Sequence, residues 1–191
     1  MPQDLSAVAW PARTARLSVR PMAPGDVADV WAYRRLPEVF DWLPHDYSDR
    51  ARFEALMVDP DRLSRTLVLE LEDRIVGDLY LAVSDAWGQG EVAEQARGTV
   101  AEIGWALHPA YAGRGYATEA ATALLRLCFA DLGVRRVRAV CFRANEPSWR
   151  LMERLGMRRE EHTVRDSLHR TRGWLDGYAY ALLEEEWSAG R

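Results

Sequence analysis

Val100 to Cys128 reads VAEIGWALHPAYAGRGYATEAATALLRLC, and the way this stretch divides decides the fold. Val100, Ile103, Trp105 and Leu107 are the β-branched, aromatic and aliphatic residues that suit a pleated surface. Pro109 has no N–H to give a sheet ladder, so the strand is expected to end near His108. A small, Gly-rich turn follows, Ala112-Gly-Arg-Gly-Tyr-Ala117. Beyond it Ala117, Ala121, Leu124 and Cys128 recur at helical spacing. Strand, Gly-rich turn and helix together build an anion site. The first N–H groups of a helix have no internal acceptor, the dipole there favours negative charge, and glycines let a phosphate approach the backbone.

Two familiar phosphate motifs do not fit. A triphosphate-binding loop closes with Lys followed by Ser or Thr, and neither follows this turn. A dinucleotide fingerprint needs G-x-G-x-x-G, but here the match stops at Gly113-Arg114-Gly115 and position 118 is Thr. The turn instead resembles the pyrophosphate-binding turn of the GNAT acyltransferases, Q/R-x-x-G-x-G/A, with Gly115 and Ala117 in its last two named places. Ala112 stands where Gln or Arg is usual, which removes one side-chain contact and leaves the backbone cradle.

The totals narrow the choice further. A chain of 191 residues with 48% hydrophobic residues is long enough to bury a core as one domain. A formal charge of −4 gives no electrostatic reason to expect nucleic acid or an anionic membrane as partner. Cys128, on the helix stripe, and Cys141, in a strand, read as small hydrophobes rather than a disulfide framework. With no CxxC or HExxH, and no ligand spacing among His45, His108, His162 and His169, no metal is expected. No apolar run resembles a signal peptide or approaches the ~20 residues of a membrane span, so a cytoplasmic protein is the default expectation.

Taken in order, residues 1–13 read as a flexible arm and residues 14–191 as a single domain. Leu17-Ser-Val-Arg20 is a short strand. A helix opens at Pro24, and Ser48-Asp49 caps a second. Residues 40–49, FDWLPHDYSD, are too aromatic and Pro-interrupted for a plain linker, and either wall a pocket or simply pack. Residues 66–72 and 75–83 alternate with period two around Glu72-Asp73-Arg74, a hairpin. Residues 84–98 form a long polar loop of the kind that is functional or disordered. Gly133 ends the long helix, residues 136–142 form a strand, and a short helix runs from Asn145 to Gly156. Two last strands, 157–163 and 173–183, are joined by a polar segment, 164–172. The order β-α-α-β-β-β-α-β-α-β-β is α+β (mixed α/β), helices packed on one sheet.

That order is similar to the GNAT order across almost the whole chain. The segments ARLSVRP (15–21), EIGWALHP (102–109), GRGYATE (113–119), Asn145-Glu-Pro-Ser148 and GWLDGYAYALL (173–183) resemble the ribosomal-protein N-terminal acetyltransferase (RimJ/RimL-type) branch. The resemblance implies a central, mostly antiparallel twisted sheet of about seven strands flanked by about four helices. It also implies acetyl-CoA as co-substrate and acetyl transfer to a primary amine: a protein N-terminus, an aminoglycoside-like antibiotic or a small metabolite. The alternative is a GNAT-fold module that binds acyl-CoA and transfers poorly. A homodimer through the sheet edges is a further expectation.

The resemblance carries site residues with it. Backbone groups of Gly113, Arg114, Gly115, Tyr116, Ala117 and Thr118 hold the pyrophosphate, with Arg114 either touching a phosphate or lying solvated. Ala106, Leu107 and His108 bind the pantetheine arm as an added strand would, His108 through its backbone rather than as a catalyst. Asn145 both caps its helix and contacts that arm. Glu102 is the candidate base, drawing the amine proton through water, or else a sheet-face residue paired with an arginine. Many relatives carry a tyrosine acid seven residues after the Asn; Met152 stands there and donates no proton, leaving Ser148 as the hydroxyl in register. An N–H near Leu107 stabilises the oxyanion. Trp42, Tyr80 and Trp105 are expected at the acceptor, with loops 84–98 and 164–172 and an acidic rim of Asp41, Asp46, Asp78 and Asp85.

Overall fold

In the computed structural model, which describes residues 5–6 and 8–190, the quoted stretch is a strand, a turn and a helix, as its residue pattern requires. In chain order, β1 (Ala12–Arg13) and β2 (Ser18–Pro21) precede four short helices: α1 (Val27–Arg34), α2 (Pro37–Phe40), α3 (Arg50–Met57) and α4 (Pro60–Ser64). β3 (Thr66–Leu71) and β4 (Arg74–Ser84) form the expected hairpin, and β5 (Val100–Leu107) leads to α5 (Tyr116–Arg126). β6 (Arg136–Phe142), α6 (Glu146–Arg154), β7 (Arg158–His169), β8 (Gly173–Leu183) and α7 (Glu184–Ala189) follow. The class is the expected α+β, with eight strands among the described residues where about seven were anticipated. The additional strand is β1, whose Ala12 and Arg13 pair with Val19 and Ser18, so pairing begins inside the expected arm. Residues 1–4 and 7 of that arm lie outside the described residues.

Contacts divide the chain into two units: Met1–Ala82 with Gly104–Leu127, and Val83–Ile103 with Cys128–Arg191. In the first, β1, β2, β3 and β4 are successive antiparallel neighbours, and the second half of β5 continues the order. The β3–β4 turn places Glu72 (φ 49°) and Asp73 (φ 61°) in the left-handed region, as a two-residue hairpin turn requires. Asp49 caps α3 through Arg52 N–H at 2.9 Å. The core packs Met22, Val30, Phe53 and Met57 against Val68 and Ala106, together with Tyr33, which the helical pattern of α1 did not single out.

β4 and β5 approach closely at Gly77, where a Cβ would lie 2.6 Å from the Ala106 carbonyl oxygen. Because the obstacle is backbone, Gly77→Ala is expected to cost about 1–3 kcal/mol of stability, read by urea denaturation. A loss below about 0.5 kcal/mol would show that the two strands are not held at this distance.

In the second unit the first half of β5 pairs in parallel with β6, from Val100↔Arg136 to Glu102↔Arg138, and no further. β6 pairs antiparallel with β8, and β8 with β7, so the mostly antiparallel expectation holds. Val137 and Ala139 of β6 face inward with Tyr180 and Leu182 of β8 and Leu151 and Met152 of α6. One expectation is corrected here: residues 164–169 are strand, not connection. β7 runs to His169 across a register shift between Thr163 and Ser167, with Arg165 at φ 49° inside it. Its outer face is solvated, so polar residues there carry no apolar alternation for a sequence reader to see.

Candidate active site

The Gly-rich turn is built by backbone conformation. Past β5 the chain makes a short 3-10 turn at Pro109–Tyr111, then Gly113 (φ 74°) and Gly115 (φ 82°) both take left-handed backbone. A side chain disfavours that region by about 1–2 kcal/mol, which is why glycine stands at both positions. Gly115 caps α5, and the Glu119 N–H donates to its carbonyl at 3.0 Å. Among the described residues the N–H groups of Gly113, Arg114, Gly115, Tyr116 and Ala117 donate to no protein acceptor. The result is a run of donors at the positive end of a helix. The Arg114 side chain is exposed on this turn, and Thr118 occupies the first turn of α5.

A brace that the sequence reading missed holds the turn. Glu119 projects from the first helical turn and accepts from the Arg16 backbone N–H (2.7 Å), from Arg16 Nε (2.7 Å) and from the Thr14 hydroxyl. Arg16 Nη1 also donates to the Arg114 carbonyl at 2.9 Å, and its guanidinium lies 4.3 Å from the Tyr116 ring centre. Burial alone would raise the Glu119 pKa, but Thr14 and Arg16 outweigh it and hold the carboxyl below its ordinary value. The partner that satisfies this acid stands 103 residues away in sequence.

In the same unit, β5 offers one strand edge. The His108 N–H is committed to the Val76 carbonyl at 2.8 Å, and the Ala106 carbonyl faces Gly77. Alternation along the strand therefore directs the N–H and C=O of Leu107 away from β4. His108 Nδ1 accepts from the Ala110 N–H at 3.1 Å, which places the proton of the neutral ring on Nε2.

The second unit holds the other candidates. Glu102 pairs with Arg138 at 3.4 Å, the two side chains 40% and 47% exposed. Ser148 lies on the other face of that sheet. Its hydroxyl hydrogen-bonds Cys141, which follows Val137 and Ala139 along the inward face of β6, whereas Arg138 points outward. Burial pushes the Cys141 thiol up to about 11 despite that bond, and the Cys128 thiol to about 12, so neither is a nucleophile at neutral pH. Asn145 is the N-cap of α6, as expected, and caps through its carbonyl, which accepts from the Ser148 N–H at 3.1 Å, rather than through its side chain. Met152 is buried. The nearby phenol of Tyr180 donates to Glu153 at 2.9 Å, and burial with that bond pushes its pKa up to about 12. Tyr178 is packed by Trp149, His162 and the Arg159 guanidinium.

Of the expected acceptor residues, Trp42, Tyr80 and Trp105 are all half-buried. Tyr80 lies beside Gly104, 3.5 Å from where a Cβ would be, and strand alternation directs Trp105 to the opposite face. The acidic rim is corrected. Asp78 is 1% exposed, accepts from the Tyr33 hydroxyl, and is bound by Arg34, with Nε at 2.9 Å. Burial opposes the Arg34 charge, but Asp78 more than offsets it and raises the pKa; burial and then the Asp78 charge raise that of Tyr33. Loop 84–98 is ordered. It contains a 3-10 turn, Gly90–Ala96, and closes through Gly98 N–H to Asp85 (2.8 Å) and Ala86 N–H to Ala96 (2.9 Å), leaving Trp87 88% exposed. Among the described residues no His, Cys, Asp and Glu group is arranged to hold a metal, and no helix is long and apolar enough to cross a membrane.

Known proteins match this architecture. The family profile described as "Acetyltransferase (GNAT) domain" matches residues 16–158. The uncharacterized N-acetyltransferase YnaD of Bacillus subtilis is 44% identical over 87 residues, 46% of this chain and about half (51%) of that relative. The crystal structure of a GNAT-family acetyltransferase from Bacillus anthracis is 31% identical, with TM-score 0.76 over 91% of this chain and 98% of the other. Mycobacterium smegmatis RimJ, solved in complex with CoA-disulfide, shares the fold at 21% identity and TM-score 0.72, covering 95% of this chain and 96% of the other.

Proposed function

Because the chain belongs to the GNAT acetyltransferase family, we propose that it moves an acetyl group from acetyl-CoA to a primary amine, the amine attacking the thioester directly. The observation that carries this reading is the turn at residues 113–117. Its two left-handed glycines and its run of N–H groups without protein acceptors fit a pyrophosphate. Acetyl-CoA supplies an activated acyl group on a thiolate leaving group. The chain's own residues then have three tasks: positioning, charge stabilisation and proton transfer.

Positioning falls to the turn with Arg114, and to Asn145 on the pantetheine arm. The N–H of Leu107, held outward by the commitments of Ala106 and His108 to β4, stabilises the carbonyl oxygen as it gains charge. Glu102 draws the proton from the amine through water. Ser148 hydrogen-bonds the departing sulfur, exchanging its bond to Cys141 for one to the thiolate. Glu102 and Ser148 work from opposite faces, so the amine enters on one side and the sulfur leaves on the other. Trp42, Tyr80 and Trp105 are assigned to the acceptor. With Asp78 neutralised, recognition of a cationic amine rests less on an acidic rim than on this aromatic lining. The acceptor class is a peptide N-terminus, an aminoglycoside-like amine or a small metabolite.

A second reading, an acyl-CoA-binding module with little transferase activity, draws support from Met152 in place of a phenol and from Arg138 on Glu102. One plate separates the two. Acetyl-CoA at a hundredfold excess over Kd is expected to stabilise the protein by about 2.7 kcal/mol. CoA release, followed with a thiol reagent across N-terminal peptides, polyamines and aminoglycosides, then reports turnover. Stabilisation without release from any amine favours the binding module, and absence of stabilisation overturns the reading of the turn.

A further inference from the structure

Glu119 poses an electrostatic problem for the turn on which it stands. Its carboxylate sits one helical turn from the donors assigned to the pyrophosphate, and like charges that close repel. The structure answers with residues 14–17, whose own turn is closed by Thr14 N–H to the Leu17 carbonyl at 2.9 Å. That turn delivers the Arg16 backbone N–H, the Arg16 guanidinium and the Thr14 hydroxyl to one carboxylate. Arg16 Nη1 meanwhile holds the Arg114 carbonyl. In a planar trans peptide the C=O and the following N–H point to opposite sides. Anchoring the Arg114 carbonyl on Arg16 therefore turns the Gly115 N–H the other way, with the free donors. Arg16 Nη2 lies 3.3 Å from where a Gly115 Cβ would stand, so the guanidinium backs the turn directly.

We propose that Arg16 is a positioning residue for the diphosphate of the CoA substrate: it neutralises Glu119 and orients the Arg114–Gly115 peptide so that the turn presents N–H groups to the anion. The inference rests on the reading that this turn takes the pyrophosphate. It makes affinity for the CoA moiety depend on a side chain outside the Gly-rich motif, contributed by the segment between β1 and β2.

The test is the affinity of the unacetylated probes CoA and 3′-dephospho-CoA, by calorimetry, for the wild type, Arg16→Ala, Arg16→Lys and the Arg16→Ala/Glu119→Gln double variant. Arg16→Ala is expected to weaken both probes by about 10- to 100-fold, the range of a charged hydrogen-bond partner left unpaired. The double variant removes the stranded carboxylate and is expected to bind at least about fivefold more tightly than Arg16→Ala, a coupling that mere loss of packing does not produce. Arg16→Lys keeps the charge but loses the fork, and falls between wild type and alanine. Melting curves without ligand check folding, and the lysine and double variants keep the test open if alanine unfolds.

Three results would overturn the proposal: Arg16→Ala binding as tightly as wild type, a double variant no tighter than the single, or a loss seen with CoA and absent with 3′-dephospho-CoA. The last would assign Arg16 to the 3′-phosphate instead. If the wild type binds neither probe, the pyrophosphate reading itself fails, a pattern distinct from all three.

Discussion

Asp78→Ala is expected to cost about 3–5 kcal/mol of stability, the loss that follows when one partner of a buried ion pair is removed. Asp78 is 1% exposed and receives the Arg34 guanidinium and the Tyr33 hydroxyl at once. Alanine would leave a cation in the core with no counter-charge and a phenol with no acceptor. The Arg34 side chain is itself only 11% exposed. Asp78→Asn, which keeps the shape and loses the charge, should fall between alanine and wild type. Replacing both partners at once, Arg34→Met with Asp78→Leu, should recover much of the loss, because apolar residues of similar size can fill such a site. Urea denaturation reads all three. A cost near 1 kcal/mol for Asp78→Ala would mean that water reaches Arg34 and that the cluster belongs to the surface.

Glu102→Gln should lower the turnover number by about 100-fold or more, the usual contribution of a general base. Half-saturation by acetyl-CoA should stay close to its wild-type value, because the carboxylate is assigned to the amine and not to the CoA moiety. The same variant should melt near the wild-type temperature. The Glu102–Arg138 pair is well exposed at 3.4 Å, and such surface pairs contribute about 0–1 kcal/mol. Lost turnover with unchanged stability therefore separates chemistry from structure. Turnover untouched by glutamine removes Glu102 as the base and leaves the pair with Arg138 as its whole role. Because the ion pair occupies the Glu102 carboxylate, Arg138→Gln should free it, with activity kept or raised.

The parts legible from sequence were those with short range. Pro109, Gly113 and Gly115 state local backbone requirements, and the stripe of α5 states a period, so strand, turn and helix could be read in place. Glu72-Asp73 marked its hairpin in the same way. Residues 164–169 misled because an edge strand with a solvated face and a register shift has the composition of a loop. The closure of loop 84–98 was not legible, because the Asp85 to Gly98 bond spans thirteen residues without any local period.

The amino-acid sequence by itself determined the class of fold, the position of the Gly-rich turn and the family. Each of these rests on neighbours along the chain or on the order of segments, which covalent connectivity preserves. Tertiary structure alone decided the electrostatics. It placed Asp78 under Arg34 and out of the acceptor rim, paired Glu102 with Arg138, turned Ser148 toward Cys141, and set Arg16 against Glu119. Charge and hydrogen bonding act through space over a few ångströms, and partners that close lie 36 to 103 residues apart in sequence for Glu102 and Glu119. No local pattern records which of the 25 Lys and Arg residues each of the 29 acids will meet.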